Sequence, residues 1–188
     1  EKLQMLLKIN KHEIISWEGK LRPSLEYTGI YPRVENGELP IWIATGGTPE
    51  SSLRAGAFGL PITYAIIGGN PRRFARNIEI YKSIALSYGH DPSKLPIGVH
   101  SWGYVAETDE QAKREFFPSL KAHQDIIGKE RGWPAFDENA FEREIGSHGA
   151  IYLGSPETVA QKIIDTIETL GINRFMIHTP CLLYTSDA

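Results

Sequence analysis

The sequence predicts an α/β protein of the (β/α)8 TIM-barrel type, present as about four strand–helix units where a closed barrel of ~250 residues has eight. Two observations carry this expectation. From residue 39 onward, short apolar runs alternate with amphipathic segments in the order strand, helix, strand, helix, strand, helix, helix, strand. That order suits right-handed βαβ units and an all-parallel sheet. Three helices also begin in the same way, with a small residue, a capping oxygen and then a proline, as strand-to-helix turns do. A flavodoxin-like open sheet is the second architecture compatible with the pattern.

The elements follow in order. The chain opens inside a helix, where Leu3, Leu6 and Leu7 form an apolar stripe with no capping residue before Glu1, so upstream sequence is expected to be missing. A polar stretch punctuated by Gly and Pro then reads as loop and short extended pieces. "LPIWIAT" (39–45) is a buried parallel strand and "PESSLRAGAFG" (49–59) a helix closed by Gly59. "LPITYAII" (60–67) is the next strand. Its helix places Phe74, Ile78, Tyr81, Ala85 and Tyr88 at helical spacing. "LPIGVHSWGYVAE" (95–107) is a third strand, followed by a helix starting under Thr108. Residues 108–149 are too long for one helix and a short connection, and Pro118, Gly128, Gly132 and Pro134 interrupt them. They are expected to form a helical excursion packed down by Trp133 and Phe136. Val159, Ile163, Ile167 and Leu170 give the last helix an apolar face, and "NRFMIHT" (173–179) is the last strand.

Composition excludes several classes. With 188 residues, 41% hydrophobic and 23% charged, the chain is globular and long enough to bury a sizeable core. A net charge of -3 without a basic run gives no reason to expect nucleic acid or an anionic membrane surface. No apolar run approaches the ~20 residues of a membrane span. The single cysteine, Cys181, excludes an internal disulfide framework and a thiolate zinc cluster. A cytoplasmic setting is the default.

The chemistry turns on "IATGGTPESS" (43–52). Two readings compete. In one, Thr48 merely caps a helix, as Asn70 does in "GGNPRR" and Ser155 in "GSPET". In the other, Gly46 and Gly47 let the amides of Gly47 and Thr48 turn together onto a phosphate at a helix N-terminus. Glu50 in the first turn counts against an anion. Among the histidines, His178 closes the last strand, where barrel enzymes place catalytic groups, and is the one weak catalytic candidate. His148 sits in a Gly-bounded turn, and adjacent His100 and Ser101 point to opposite faces of a strand. No metal is expected, since His and carboxylates never fall at metal-ligand spacing, and no nucleotide-binding Gly motif occurs.

"FGLPITYAIIGGNPRRFARNIEIYKSIALSYGHDPSKL" (58–95), together with "LPIWIATGGTPESSLRAG" and "GSPETVAQKI", resembles the bacterial luciferase-like flavin-dependent monooxygenases over about residues 1–178. The resemblance implies a luciferase-like barrel of which this chain is the C-terminal half, one domain over residues 1–180. It implies FMN as cofactor, its phosphate held by Thr45, Gly46, Gly47 and Thr48, with Ser51 and Ser52 in the following turn. It places Ala65, Ile66, Ile67 and Gly68 against the flavin ring. Ile66 replaces the tryptophan of the luciferases, so light emission is not implied. The tail at 181–188 reads as foreign sequence and is set aside. The implied activity is oxidation of a small organic substrate with reduced FMN and O2. A separate flavin reductase would supply the cofactor, and the full-length protein would be a homodimer. The alternatives are an F420-dependent oxidoreductase of the same superfamily and a non-catalytic flavin-binding or subunit protein.

Overall fold

A computed structural model describes residues 1–35 and 37–179. Its contacts gather into two compact units, Glu1–Ile41 and a second from Trp42 onward. The first holds helix α1 (Lys2–Lys11) and an antiparallel pair, β1 (Ile14–Trp17) and β2 (Leu25–Gly29). The sequence reads this region as loop with short extended pieces. Both strands are brief and mostly exposed, so no alternation of buried side chains marks them.

The second unit is a parallel sheet covered by helices. Its elements are β3 (Ile43–Thr45), α2 (Pro49–Phe58), β4 (Ile62–Ile66), a 3-10 turn at Pro71–Phe74, α3 (Ala75–Ser87), β5 (Ile97–Val105), α4 (Asp109–Arg131), α5 (Glu138–Ile145), β6 (Tyr152–Gly154), α6 (Pro156–Leu170) and β7 (Arg174–His178). Every pairing is parallel: β3 with β4, β4 with β5, and β5 with both β6 and β7. This is the α/β architecture of a partial (β/α) barrel. β4 and β7 pair with β5 along Ile97–Trp102, and β6 pairs only with its outer end, Gly103–Val105.

Alternation along the strands separates two faces. Ile62, Tyr64, Ile66, Ile97 and Val99 turn to the helices and meet Ala55, Phe74, Ile78, Tyr81 and Leu170 in the main core. Ala44, Thr63, Ala65, Gly98 and His100 carry the opposite face by register. A second core joins Ala112, Phe116 and Leu120 of α4 to Phe141, Ile151 and Leu153, with Trp102 and Phe136 packed against it.

Four expectations are corrected. Tyr88 lies beyond α3 and is 65% exposed, although Phe74, Ile78, Tyr81 and Ala85 are buried as their spacing predicts. Pro118 and Gly128 do not interrupt the excursion: α4 runs through both and stops at Gly132, which adopts the left-handed conformation. Pro118 and Arg114 both face solvent, so water can satisfy the carbonyl that the proline ring leaves without a donor. Strand β6 is absent from the sequence reading, because three residues cannot display a period. Phe136 packs as expected, against Phe141, whereas Trp133 is 42% exposed.

One polar cluster fastens the excursion to the sheet. Both carboxylate oxygens of Glu144 accept from the Gly69 amide at 3.0 Å, and one also accepts from the Ala150 amide. Lys162 of α6 donates to the carbonyls of Gly146 at 2.6 Å, Ile151 at 2.7 Å and Ile145 at 3.0 Å, capping the end of α5. Burial lowers the Lys162 pKa to about 8, while the Glu144 charge opposes that shift. Glu144→Ala should cost roughly 2–4 kcal/mol, because it leaves two amides without their charged acceptor. Glu144→Gln, which keeps one acceptor oxygen, should cost less. Urea unfolding of the two variants in the intact protein checks the order.

Candidate functional site

Parallel strands place their C-terminal ends together, and in barrels the connections leaving those ends carry the site. Here the turns after β3 and β4, the outer half of β5 and the end of β7 meet that description.

The turn after β3 is organised by hydroxyls. Gly47 donates its amide to Thr45 Oγ1 at 3.1 Å. Thr48 Oγ1 lies 2.9 Å from Ser51 Oγ and 3.3 Å from Thr45 Oγ1. Asn77 of α3 donates to the Gly47 carbonyl at 2.6 Å. Gly47 has φ +108°, and a Cβ there would meet the Phe74 ring at 2.8 Å, so glycine is required for both backbone and packing. Around Gly46 a Cβ would meet nothing within 4 Å. That space is open.

Comparison of the three proline-started turns answers the capping question. Asn70 accepts from the Arg72 amide and Ser155 from the Thr158 amide, as expected of caps. Thr48 makes no such bond. The other two turns are also supplied with a carboxylate from elsewhere in the chain: Glu144 on Gly69, and Asp109 on the Ser155 amide at 2.6 Å. No carboxylate bonds the turn at Thr48 among the described residues, and Glu50 there is exposed. The expected shared cap therefore holds for two turns. At the third the Thr48 and Ser51 hydroxyls bond each other, the Ser51 amide donates to the Thr48 carbonyl, and the Gly47 amide, expected to turn with that of Thr48 onto a phosphate, is taken by Thr45 Oγ1.

Other expected positions separate. Ser52 is fully buried and bonded to the Tyr64 hydroxyl at 2.8 Å, so it belongs to the core, where burial raises Tyr64 to a pKa of about 12. Ile66 is also fully buried on the helix side, and its carbonyl accepts from Ser101 Oγ at 2.6 Å. Its side chain cannot lie against a flavin ring, contrary to the position the resemblance assigns it. Ala65 sits on the opposite face, Ile67 is 46% exposed, and Gly68 is open around its Cβ position. The Gly69 amide, by contrast, is already occupied by Glu144.

His100 and Ser101 do point to opposite faces. Ser101 is buried and donates to the Ile66 and Ala150 carbonyls. His100 meets His178 across β5 and β7 with ring centroids 5.4 Å apart, and Trp102 stands 4.5 Å from His178 and 5.1 Å from His123. The sequence gives His178 a place but not these partners: only strand pairing joins residues 78 positions apart, and no motif marks His123. His148 is exposed and lines a separate polar cleft with Asn70, Arg72 and Asp165. No group of three or more His, Cys, Asp or Glu among the described residues could hold a metal ion, and no described helix is long and apolar enough to cross a membrane.

The fold is that of a partial (β/α) barrel. The sequence matches the family of luciferase-like monooxygenases over residues 1–174, and the chain belongs to that family. No curated protein sequence matches it. Among solved structures it is similar to the monooxygenase RslO1 from Streptomyces bottropensis, at 19% identity and TM-score 0.71, over 94% of this chain and 51% of the other. It is also similar to the oxygenating constituent of 3,6-diketocamphane monooxygenase from the CAM plasmid of Pseudomonas putida, in complex with FMN, at 22% identity and TM-score 0.63, over 94% and 54%. A third is the coenzyme F420 dependent tetrahydromethanopterin reductase from Methanopyrus kandleri, at 14% identity and TM-score 0.65, over 92% and 53%. At these identities the likeness is one of fold, and the chain spans about half the length of each structure.

The histidine pair generates a pH dependence. Burial, and then the charge of His178, hold the His100 pKa below the ordinary 6.5. The unfolded chain therefore binds a proton near pH 6.5 that the folded chain refuses until lower pH. Stability from this group is complete above about pH 6.5 and is lost as pH falls toward the folded pKa. Melting temperatures between pH 7.5 and 5 should fall less steeply in His100→Gln than in the parent.

Proposed function

We propose that this chain forms the cofactor-phosphate end of a flavin-dependent monooxygenase that uses reduced FMN and O2 to oxidise a small organic substrate. The observation that supports it is the turn at Thr48, the one of three similar turns to which the protein supplies neither a side-chain cap nor a carboxylate. Its Gly46 gives open access to the backbone, and its Thr48 and Ser51 hydroxyls cluster at a helix N-terminus, whose partial positive charge suits a phosphate. These residues fit the group. Thr45 and Asn77 would act one step back by fixing the turn through Gly47. Ala65, Ile67 and Gly68 would line the ring side, with Ile66 excluded.

Bound there, the flavin would supply the redox chemistry, and the chain's own residues would bind, orient and shield it. His178, beside His100 and Trp102 at the end of β7, would be the candidate for a catalytic role. A separate reductase as the source of reduced flavin, and a homodimer as the working assembly, belong to the same proposal. F420 is the second reading, favoured by the same turn, because that deazaflavin also carries a phosphate on its ribityl side chain. Titration with FMN and F420 separates the two.

Gly46→Asp in the intact protein places a like charge in open space without a steric conflict. FMN affinity should then fall at least about tenfold, which a lost charge-assisted contact of about 1.5–3 kcal/mol accounts for. Riboflavin, which has no phosphate, should be affected far less. Gly47→Asp is unsuited to this comparison, because φ and the Phe74 ring would make it unfold. Thr48→Ala should leave the melting temperature nearly unchanged, short of the ~1 kcal/mol that a functioning cap contributes, while weakening FMN. Dissociation constants for both flavins decide: equal losses would remove the phosphate assignment.

A further inference from the structure

We infer that the cleft between the turn after β4 and the α4–α5 connection binds an organic carboxylate with an apolar, ring-sized body. That this molecule is the substrate rests on the oxidative reading above; that the cleft selects an acid does not.

Two cavities adjoin there, of about 360 and 110 Å³, and share Ile67, Gln124 and Trp133. The larger volume falls within the range of small-molecule sites. Ile67, Trp133 and Phe136 supply an apolar wall, and the first two remain 46% and 42% exposed. Large apolar side chains held open beside one another suit an apolar ligand body.

Charge gives the cleft its sign. Arg73 lines the larger cavity and Arg131 the smaller. Neither belongs to the salt bridges among the described residues, which join Lys94 to Asp91, Lys113 to Glu142 and Lys121 to Asp125. Both guanidinium groups instead lie over rings, Arg73 at 5.0 Å from Phe74 and Arg131 at 5.4 Å from Trp133. Stacking occupies the face of a guanidinium and leaves its N–H edge to receive a planar carboxylate. Glu144, the one acid lining these cavities, has both oxygens committed to the Gly69 and Ala150 amides, and its charge faces the buried Lys162 ammonium. Two arginines therefore act on the cleft without a counter-ion of their own, around an apolar floor.

The test is calorimetric binding of 4-phenylbutyrate and of its neutral counterpart 4-phenylbutan-1-ol to the intact protein. The acid should bind roughly tenfold more tightly, and the difference should shrink in about 0.5 M salt, where screening is strong. Arg73→Met and Arg131→Met should each remove much of the preference while leaving the alcohol's affinity in place. Arg73→Lys should restore part of it, and Trp133→Ala should weaken both ligands. Equal affinities for acid and alcohol, or binding of neither, would overturn the inference. So would a preference that survives both methionine variants with their melting temperatures unchanged. If a variant fails to fold, the acid–alcohol comparison and its salt dependence in the parent protein still decide. A parent that prefers the acid but binds no flavin keeps this inference and loses the oxidative reading. One that binds flavin without the preference does the reverse.

Discussion

Strand β5 is nine residues long, and none of its neighbours covers more than five of them. A parallel strand buried on both faces needs partners on both edges for its amides and carbonyls. The chain meets that need with β4 and β7 along Ile97–Trp102 and with β6 along the remaining Gly103–Val105. The inner half of β5 belongs to the main core through Ile97 and Val99, and the outer half to the second core through Trp102 and Tyr104. The surplus length thus requires an excursion to deliver β6. The same excursion brings Trp133, Gln124 and Glu144 over the strand ends.

Helix starts impose the second requirement. Each leaves amides without internal partners, and the chain answers in two ways. At Gly69 and Ser155 a carboxylate comes from a remote helix, which ties α5 to the turn after β4 and α4 to the start of α6. At Thr48 the turn is held by Thr45 and Asn77, and no carboxylate bonds it among the described residues. Turns of one local sequence pattern can therefore differ in what the rest of the fold places against them.

The sequence is informative where a residue's role depends on its neighbours in the chain. The order of β3, β4, β5 and β7 with their helices, the main-core positions Phe74, Ile78, Tyr81 and Ala85, the left-handed end of α2 at Gly59 and the caps at Asn70, Thr108 and Ser155 all follow from local periodicity and capping chemistry. The motifs that resemble luciferase-like proteins are local as well, and the family match spans residues 1–174. Local reasoning fails at Ile66 and Ser52. Strand alternation and helix rotation relative to the sheet turn both side chains into the core, and neither orientation can be read from a motif aligned by position.

What the sequence by itself determined is the class: a parallel α/β chain, the family it belongs to, and the small set of turns in which a phosphate could sit. Tertiary structure alone decided which turns receive a carboxylate, because Glu144 and Asp109 arrive from 75 and 46 residues away. It also decided that His100, His178, Trp102 and His123 form one aromatic cluster, since strand pairing and the return of α4 set those distances. Periodicity and capping act over a few residues, within reach of pattern. Charge pairing and ring contacts act through space, and only the folded chain brings those groups together.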